Sequence, residues 1–450
     1  MKNFRNMDVN QLTKEIFKEY TSTGKAVSVN FREILPYLNK GERYSHSIHP
    51  YPAKLIPHIP YFFLNNEKFI HKGEVVLDPF CGSGTTLLEA NLNGINSYGA
   101  DANPIARLIS NCKTKTLIQN HVKKKLKQIV TLSRTIAEVK IPIFTNIDIW
   151  FSLRVQKELS KLLYSINQVC YGKYKDFFLM CFSALIHKVS YMDPRIAVPV
   201  RINIERYAIG SKSRIHAQDL LNKVDNVDVL DTFISICNTN FKRIGTLNEV
   251  EDLGKTKIIS KDARRLTSSI QSKHKLGDES IDLILTSPPY ASAQKYIRSS
   301  SLSLYWLKML EGKSLVEMDE KNIGHENYKK KDLILQSVGI DDADEIIDKI
   351  FIKNPLRGRI VSQYLLDMED ALNESVRVLK KGHYMILIIG NNCVCGYKFN
   401  TKKYLTEHLF RKGMSLELEM IDDIKSYGLM TKRNKTANII TREWILVFKK

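Results

Sequence analysis

The chain has 450 residues, with 68 Lys and Arg against 48 Asp and Glu, a formal net charge of +20 and a pI near 9.4. That length exceeds one ordinary domain, and no apolar run approaches the roughly 20 residues that span a bilayer, so a globular chain with two domains or one large insertion is expected. The seven cysteines form no CxxC pair and the start MKNFRNMDVNQ has no signal-like apolar core, which points away from disulfide-framed, zinc-ribbon and exported classes and towards reduced thiols in a cytoplasm. The positive excess favours a polyanionic partner, because released counterions drive lysine and arginine surfaces onto nucleic acid.

Residues 1–40 read as an N-terminal arm, a short helix (VNQLTKEIFKEY) followed by a linker. A strand is predicted over 74–78, a turn over 79–84, a helix over 85–93 closed by Gly94, and a second strand over 97–100. That is a βαβ beginning, the signature of a doubly wound sheet. Residues 113–253 change to helical spacing, as in HVKKKLKQIVTLSRTIAEV and FSLRVQKELSKLLYSINQV, and read as a helical insertion. Strand patterns resume at 257–259, 281–285 and 384–389, the last preceded by a helix over 364–379 that stops at Lys380-Lys381-Gly382. A shorter insertion is expected over 311–356. The end, LELEMIDDI and REWILVFKK, reads as two strands joined by a basic loop, Lys432-Arg433-Asn434-Lys435. The sheet therefore draws on 41–112 and 254–450.

Two loops carry the chemistry. In Asp78-Pro79-Phe80-Cys81-Gly82-Ser83-Gly84-Thr85-Thr86, glycines at a strand end let a ligand approach the backbone ahead of a helix amino terminus. Alone this would be an ordinary tight turn, but Asp101 follows the next strand about 20 residues on, where a carboxylate can bond a ribose hydroxyl. The pair asks for a nucleoside-type cofactor. Thr286-Ser287-Pro288-Pro289-Tyr290 follows the strand over 281–285 at the edge where such sheets place their sites. An exocyclic amino group is conjugated with its ring and is a poor nucleophile, so its N–H groups must be accepted by side-chain and backbone oxygens. The Ser287 hydroxyl and the Pro288 carbonyl can do that, the prolines carry no competing N–H, and Tyr290 offers a face for an extruded base. A polyproline-like turn is the bland reading of the same residues.

These motifs resemble the amino-methyltransferase family of DNA methyltransferases over most of the chain outside 113–250. The resemblance implies a Rossmann-like α/β sheet of seven strands with the last antiparallel, S-adenosylmethionine as cofactor, double-stranded DNA as substrate and no metal. It makes Asp78, Pro79, Phe80, Cys81, Gly82, Gly84 and Thr85 the cofactor loop, Asp101 and Ala102 the ribose element, and Asp262 and Ala263 the adenine element. HPYPAKLIP at 49–57 is similar to the element holding the methionine end, which adds Lys54 and Pro57. Ser287, Pro288, Pro289 and Tyr290 become the catalytic loop. Serine at 287, where adenine-modifying members usually carry aspartate or asparagine, resembles the cytosine-N4 branch. Adenine-N6 methylation remains the alternative, with guanine-N2 methylation of transfer RNA further off. The family also implies restriction-modification biology in a bacterial or archaeal cytoplasm, with room for a cognate restriction endonuclease. One departure is layout: the cofactor loop precedes the catalytic loop, whereas many cytosine-N4 members have the reverse order. Cytosine-C5 chemistry needs a Pro-Cys nucleophile loop, and the chain has no Pro-Cys pair.

For DNA contact, Arg195, Arg201 and Arg206 in the long insertion are the basic candidates, against surface pairing with residues such as Glu205. Lys295, Tyr296 and Arg298, following the catalytic loop, are placed to grip phosphate around a flipped nucleotide. His46 and His49 are assigned packing or hydrogen-bonding roles, since amino-group methylation needs no histidine dyad. The long insertion is the candidate target-recognition region.

Overall fold

The protein is described by a computed structural model that covers residues 8–39, 43–52, 54–290, 296–312, 314–423 and 441–450. Its strands in chain order are β1 (Val27–Ser28), β2 (Val75–Asp78), β3 (Asn96–Ala100), β4 (Thr256–Ser260), β5 (Ile281–Thr286), β6 (Leu379–Ile389), β7 (Asn392–Val394), β8 (Tyr397–Phe399), β9 (Ser415–Asp423) and β10 (Arg442–Lys449). Eight form one sheet in the order β1-β9-β10-β6-β5-β2-β3-β4, and β7 and β8 make a separate hairpin. Every residue of β5 is buried, as a parallel strand covered on both faces requires. In the eight-stranded sheet β10 runs antiparallel to both β6 and β9, while its other pairings are parallel.

The seven-strand expectation needs one correction. An eighth strand, β1, pairs Val27 with Met420 and Ser28 with Ile421 at the sheet edge. The arm does this because it has apolar surface to bury. Its helix Val9–Thr23, capped by the Asp8 carboxylate, places Val9, Leu12 and Ile16 in a cluster with Phe62, Leu283, Ile386, Met420 and Val447 on one sheet face. Val9, Leu12 and Ile16 of the arm are thus part of the core.

The opposite face is covered by helices Asp341–Lys353, Pro355–Val378 and Thr401–Arg411. Ile340, Ala343, Ile347 and Ile350, from the shorter insertion, belong to this same core. The helix before β6 ends at Val378 rather than running into Lys380-Lys381-Gly382. Leu379 pairs with Ile281, and Lys380 bonds Asp282 of β5 at 2.5 Å, so these residues extend the strand instead.

Between β3 and β4 lie helices Gln119–Thr135, Leu153–Val169, Gly172–Val189, Lys212–Asp225 and Val229–Gly245. Gly172–Val189 is buried from Phe177 through Ile186. It shares a cluster with Ile48, Tyr51, Ile105, Leu304 and Trp306, so this region packs against the segments flanking the candidate site. Among the described residues no helix is long and apolar enough to cross a membrane.

Candidate active site

The chain leaves β2 towards β3 and β4 and returns on the other side at β5, which makes the carboxyl ends of β2 and β5 a topological switch point. Asp78 closes β2 and Thr286 closes β5. The Thr286 hydroxyl donates to Asp78 Oδ1 at 2.6 Å, and the Phe80 N–H donates to the same oxygen at 3.1 Å. Burial pushes the Asp78 carboxyl up to about 6, with the Thr286 bond opposing it.

The glycine turn then folds back on its neighbours. Cys81 N–H donates to the Ala100 carbonyl at 2.9 Å, and Gly84 N–H to the Cys81 carbonyl at 2.7 Å. Gly84 has φ 77°, and a Cβ there would lie 2.9 Å from Ser110 Oγ and 3.0 Å from Ser110 Cα. Only glycine fits both constraints. Pro79, Cys81 and Thr85 are buried, Phe80 packs half-buried against the sheet core, and Gly82 is partly open. Thr85 begins the helix Thr85–Leu92, whose free N–H groups face the turn.

Asp101 follows β3 on the same edge. Its Oδ2 accepts the Gly82 N–H at 2.9 Å and its Oδ1 the Asn103 N–H at 2.8 Å, while Arg107 holds the carbonyls of Asp101 and Ala102 at 2.7 and 3.0 Å. Burial raises the Asp101 carboxyl against those backbone bonds. Asp262 follows β4 and is gripped by Arg264, which also pairs with Asp367 at 3.0 Å; Ala263 beside it is buried. Parallel strands have put three carboxylates, Asp78, Asp101 and Asp262, along one edge.

The 49–57 segment closes the other side. The buried Tyr51 ring comes within 3.8 Å of the position a Gly82 Cβ would take, and its hydroxyl lies 3.3 Å from Asn103 Nδ2. Lys54 Nζ donates to the His49 carbonyl at 2.5 Å and the His46 carbonyl at 3.4 Å, and burial pushes its ammonium down to about 8. Lys113, at the end of helix Pro104–Lys113, is only 1% exposed, yet its Nζ reaches Ser83 Oγ only at 3.5 Å. Burial, then the charge of Lys54, lowers it strongly. A half-buried and a buried lysine beside a glycine turn fit an anionic ligand group, as the methionine carboxylate of S-adenosylmethionine would be. Pro57 precedes and starts the helix His58–Leu64. His46 bonds Glu89 at 2.7 Å, and His49 bonds Ser183 at 3.0 Å, which bonds Ser303 at 2.8 Å.

In the loop after β5, Pro288 is buried and Ser287 and Pro289 are partly open. The Tyr364 hydroxyl donates to the Pro289 carbonyl at 3.0 Å, and the Tyr290 hydroxyl donates to Glu443 Oε1 at 2.7 Å. Burial, followed by Glu443, drives the Tyr290 phenol well up; the nearby Ser287 side chain works the other way. Tyr296 opens the helix Tyr296–Ser299, and its phenol is close enough to Tyr51, Tyr290 and Tyr364 to raise each of them. Four tyrosines thus converge at the loop. Glu443, Tyr364, Arg107 and Lys113 were not singled out by the sequence. Their positions depend on pairings across 75 to 204 residues for Tyr364 and Arg107 and 153 for Glu443, which no local pattern reveals.

The basic candidates fare differently. Arg195 forks onto Asp193 at 2.6 Å and reaches Tyr207 at 3.2 Å, while Arg201 stacks over the Tyr191 ring at 5.4 Å. Arg206 ends the short turn Ile204–Arg206 exposed, and Glu205 pairs with Arg214 rather than with it. All three stand on the segment between two insertion helices, not in the switch-point loops. Arg298 is exposed beside Tyr296. Lys295 and the basic loop Lys432–Lys435 lie outside the described residues.

Comparison with known proteins bears directly on this geometry. Residues 6–111 match the family model described as DNA methylase, designated N6_N4_Mtase. The chain is 26% identical over 408 residues to the type II methyltransferase M.MvaI of Kocuria varians, covering 84% of this chain and 86% of that protein. The family model and this relative support the S-adenosylmethionine-dependent DNA amino-methyltransferase family for this chain. Two further relatives carry the same description over shorter spans. The type II methyltransferase M.MjaII of Methanocaldococcus jannaschii is 40% identical over 88 residues, 20% of this chain and 16% of its own. M.BsoBI of Geobacillus stearothermophilus is 24% identical over 258 residues, 54% and 49%. DNA methyltransferases of this family take their methyl group from S-adenosylmethionine.

Proposed function

We propose that this DNA methyltransferase modifies N4 of cytosine at a specific site in double-stranded DNA, as the modification partner of a restriction system. The observation that carries the reading is the switch point itself: the glycine turn after β2 and Ser287-Pro288-Pro289-Tyr290 after β5 are tied together by the Thr286 to Asp78 bond. A cofactor on one loop and a base on the other would meet there.

S-adenosylmethionine supplies an electrophilic methyl group on a sulfonium. Around it the chain's own groups have separable tasks. Asp101 and Asp262 stand where they would accept bonds from the ribose and adenine, Gly82 and Gly84 give backbone clearance, and Lys54 with Lys113 would take the carboxylate. Ser287 Oγ and the Pro288 carbonyl accept the two amino hydrogens of the base, which turns the nitrogen lone pair towards the methyl carbon. Tyr290, with Tyr296 nearby, receives the flipped ring. Serine rather than aspartate at 287 supports cytosine over adenine, on the family resemblance. Methyl transfer from labelled cofactor to unmodified genomic DNA, followed by nucleoside analysis, tests the reading.

The exposed segment bearing Arg195, Arg201 and Arg206 is our candidate for DNA contact, with Tyr296 and Arg298 nearer the flipped base. Arg195 is held by Asp193, so Arg201 and Arg206 are the better phosphate ligands of the three.

A further inference from the structure

Glu443 stands near the start of β10, just before its apolar run Trp444 to Phe448, and it is paired in register with Asp422 of β9. A carboxylate beside a site meant for a polyanion is electrostatically costly unless it has a bonded role. Desolvation raises the Glu443 carboxyl above its ordinary range, with the Tyr290 bond and then Arg32 opposing. The bond it makes joins residues 153 positions apart, so the fold and not local geometry puts them together.

The phenol of Tyr290 has two relationships. It donates its proton to Glu443, and the Ser287 side chain, three residues back in the same loop, lies near enough to favour its ionised form. A serine hydroxyl can donate or accept, but an amino group about to act as a nucleophile needs an acceptor only. We propose that Glu443 is a positioning residue for methyl transfer: its 2.7 Å bond to the Tyr290 hydroxyl fixes the ring and leaves the phenol oxygen to take the Ser287 proton, so Ser287 Oγ meets the substrate amino group as an acceptor. No proton changes owner along this chain. This inference rests on the proposed roles of Ser287 and Tyr290.

The test compares steady-state methylation of unmodified bacterial genomic DNA by Glu443→Leu, Glu443→Gln, Tyr290→Phe, Tyr290→Ala and Tyr290→Phe/Glu443→Leu. Glu443→Leu should lower kcat about tenfold, with KM for DNA and the calorimetric affinity for S-adenosylhomocysteine little changed. Glu443→Gln, which keeps an acceptor, should recover most of that loss. In the Tyr290→Phe background, Glu443→Leu should add nothing. Losses that add, or glutamine no better than leucine, overturn the proposal. Should Glu443→Leu not fold, Tyr290→Phe decides, because it keeps the ring: wild-type kcat there rejects the role of Glu443. If Tyr290→Ala also turned over normally, the assignment of the catalytic loop itself would fall, a separate failure.

Discussion

Thr286 and Asp78 lie 208 positions apart in the chain and are joined by a 2.6 Å hydrogen bond between the ends of adjacent parallel strands. Both side chains are almost fully buried. Because Asp78 also accepts the Phe80 N–H, the entry to the cofactor turn and the entry to the catalytic loop share one carboxylate. Thr286→Val keeps the shape and deletes the donor. It should cost about 1.5–3 kcal/mol of stability, the range for a buried bond to a charged group, and lower kcat/KM as well. Thr286→Ser should recover both. Urea denaturation with parallel assays reads the effect, and a fully stable valine variant would show that the bond does not join the loops.

Asp101 is bound to its own turn through Gly82 and Asn103, so its carboxylate is oriented before any ligand arrives. Asp101→Ala should weaken S-adenosylmethionine binding by about 1.5–3 kcal/mol through loss of charge-assisted bonds. Calorimetry on the folded variant checks this. Unchanged affinity would place the ribose elsewhere.

Lys54 and Lys113 give a pH signature. Lys54 is pushed down to about 8, so in the free protein its ammonium is present below that pH and lost above it. A carboxylate ligand favours the charged form; affinity should therefore be full below pH 8 and fall as pH rises through it. The unliganded protein has the opposite trend: between about 8 and the ordinary lysine value near 10.5 the unfolded chain holds a proton the folded one has released, so this group's contribution to stability rises with pH. Lys54→Met should remove its share of both slopes. Lys113→Met should weaken S-adenosylmethionine but leave decarboxylated S-adenosylmethionine nearly untouched. Equal losses for the two ligands would deny Lys113 the carboxylate.

Much of the fold is written in local pattern. The apolar runs at 75–77 and 281–285, the glycine turn and the Ser-Pro-Pro-Tyr loop announce strands, a switch-point sheet and the place of its site, because each depends on neighbours in sequence. The helix from Pro355 to Val378 was harder, since its end is set by Lys380 reaching Asp282 on another strand and not by Gly382. β1 is two residues long and gains its place by pairing with β9, so no periodicity could mark it. In the candidate site, the residues that belong to the glycine turn and to the Ser-Pro-Pro-Tyr loop were legible, because each lies within its own motif. Those that hold the motifs from outside, Glu443, Tyr364 and Lys113, were not, for they act through contacts made only when the sheet is assembled.

The long insertion is the proposed source of base readout, but its helix Gly172–Val189 is core shared with Tyr51 and Trp306. Exchanging the whole of 113–253 with a relative's should therefore disturb folding. Exchanging only the exposed segment from Pro194 to Lys212 should alter the methylated sequence while leaving S-adenosylmethionine binding intact, as read by modified-base sequencing. Retention of the original specificity would move recognition to another surface.

The most direct measurement is the identity of the product. Nucleoside mass spectrometry of DNA methylated by the purified protein should show N4-methylcytosine, and Ser287→Ala should abolish most of it while weakening DNA binding far less. N6-methyladenine alone would contradict the cytosine assignment and leave the amino-group mechanism standing; 5-methylcytosine would contradict both.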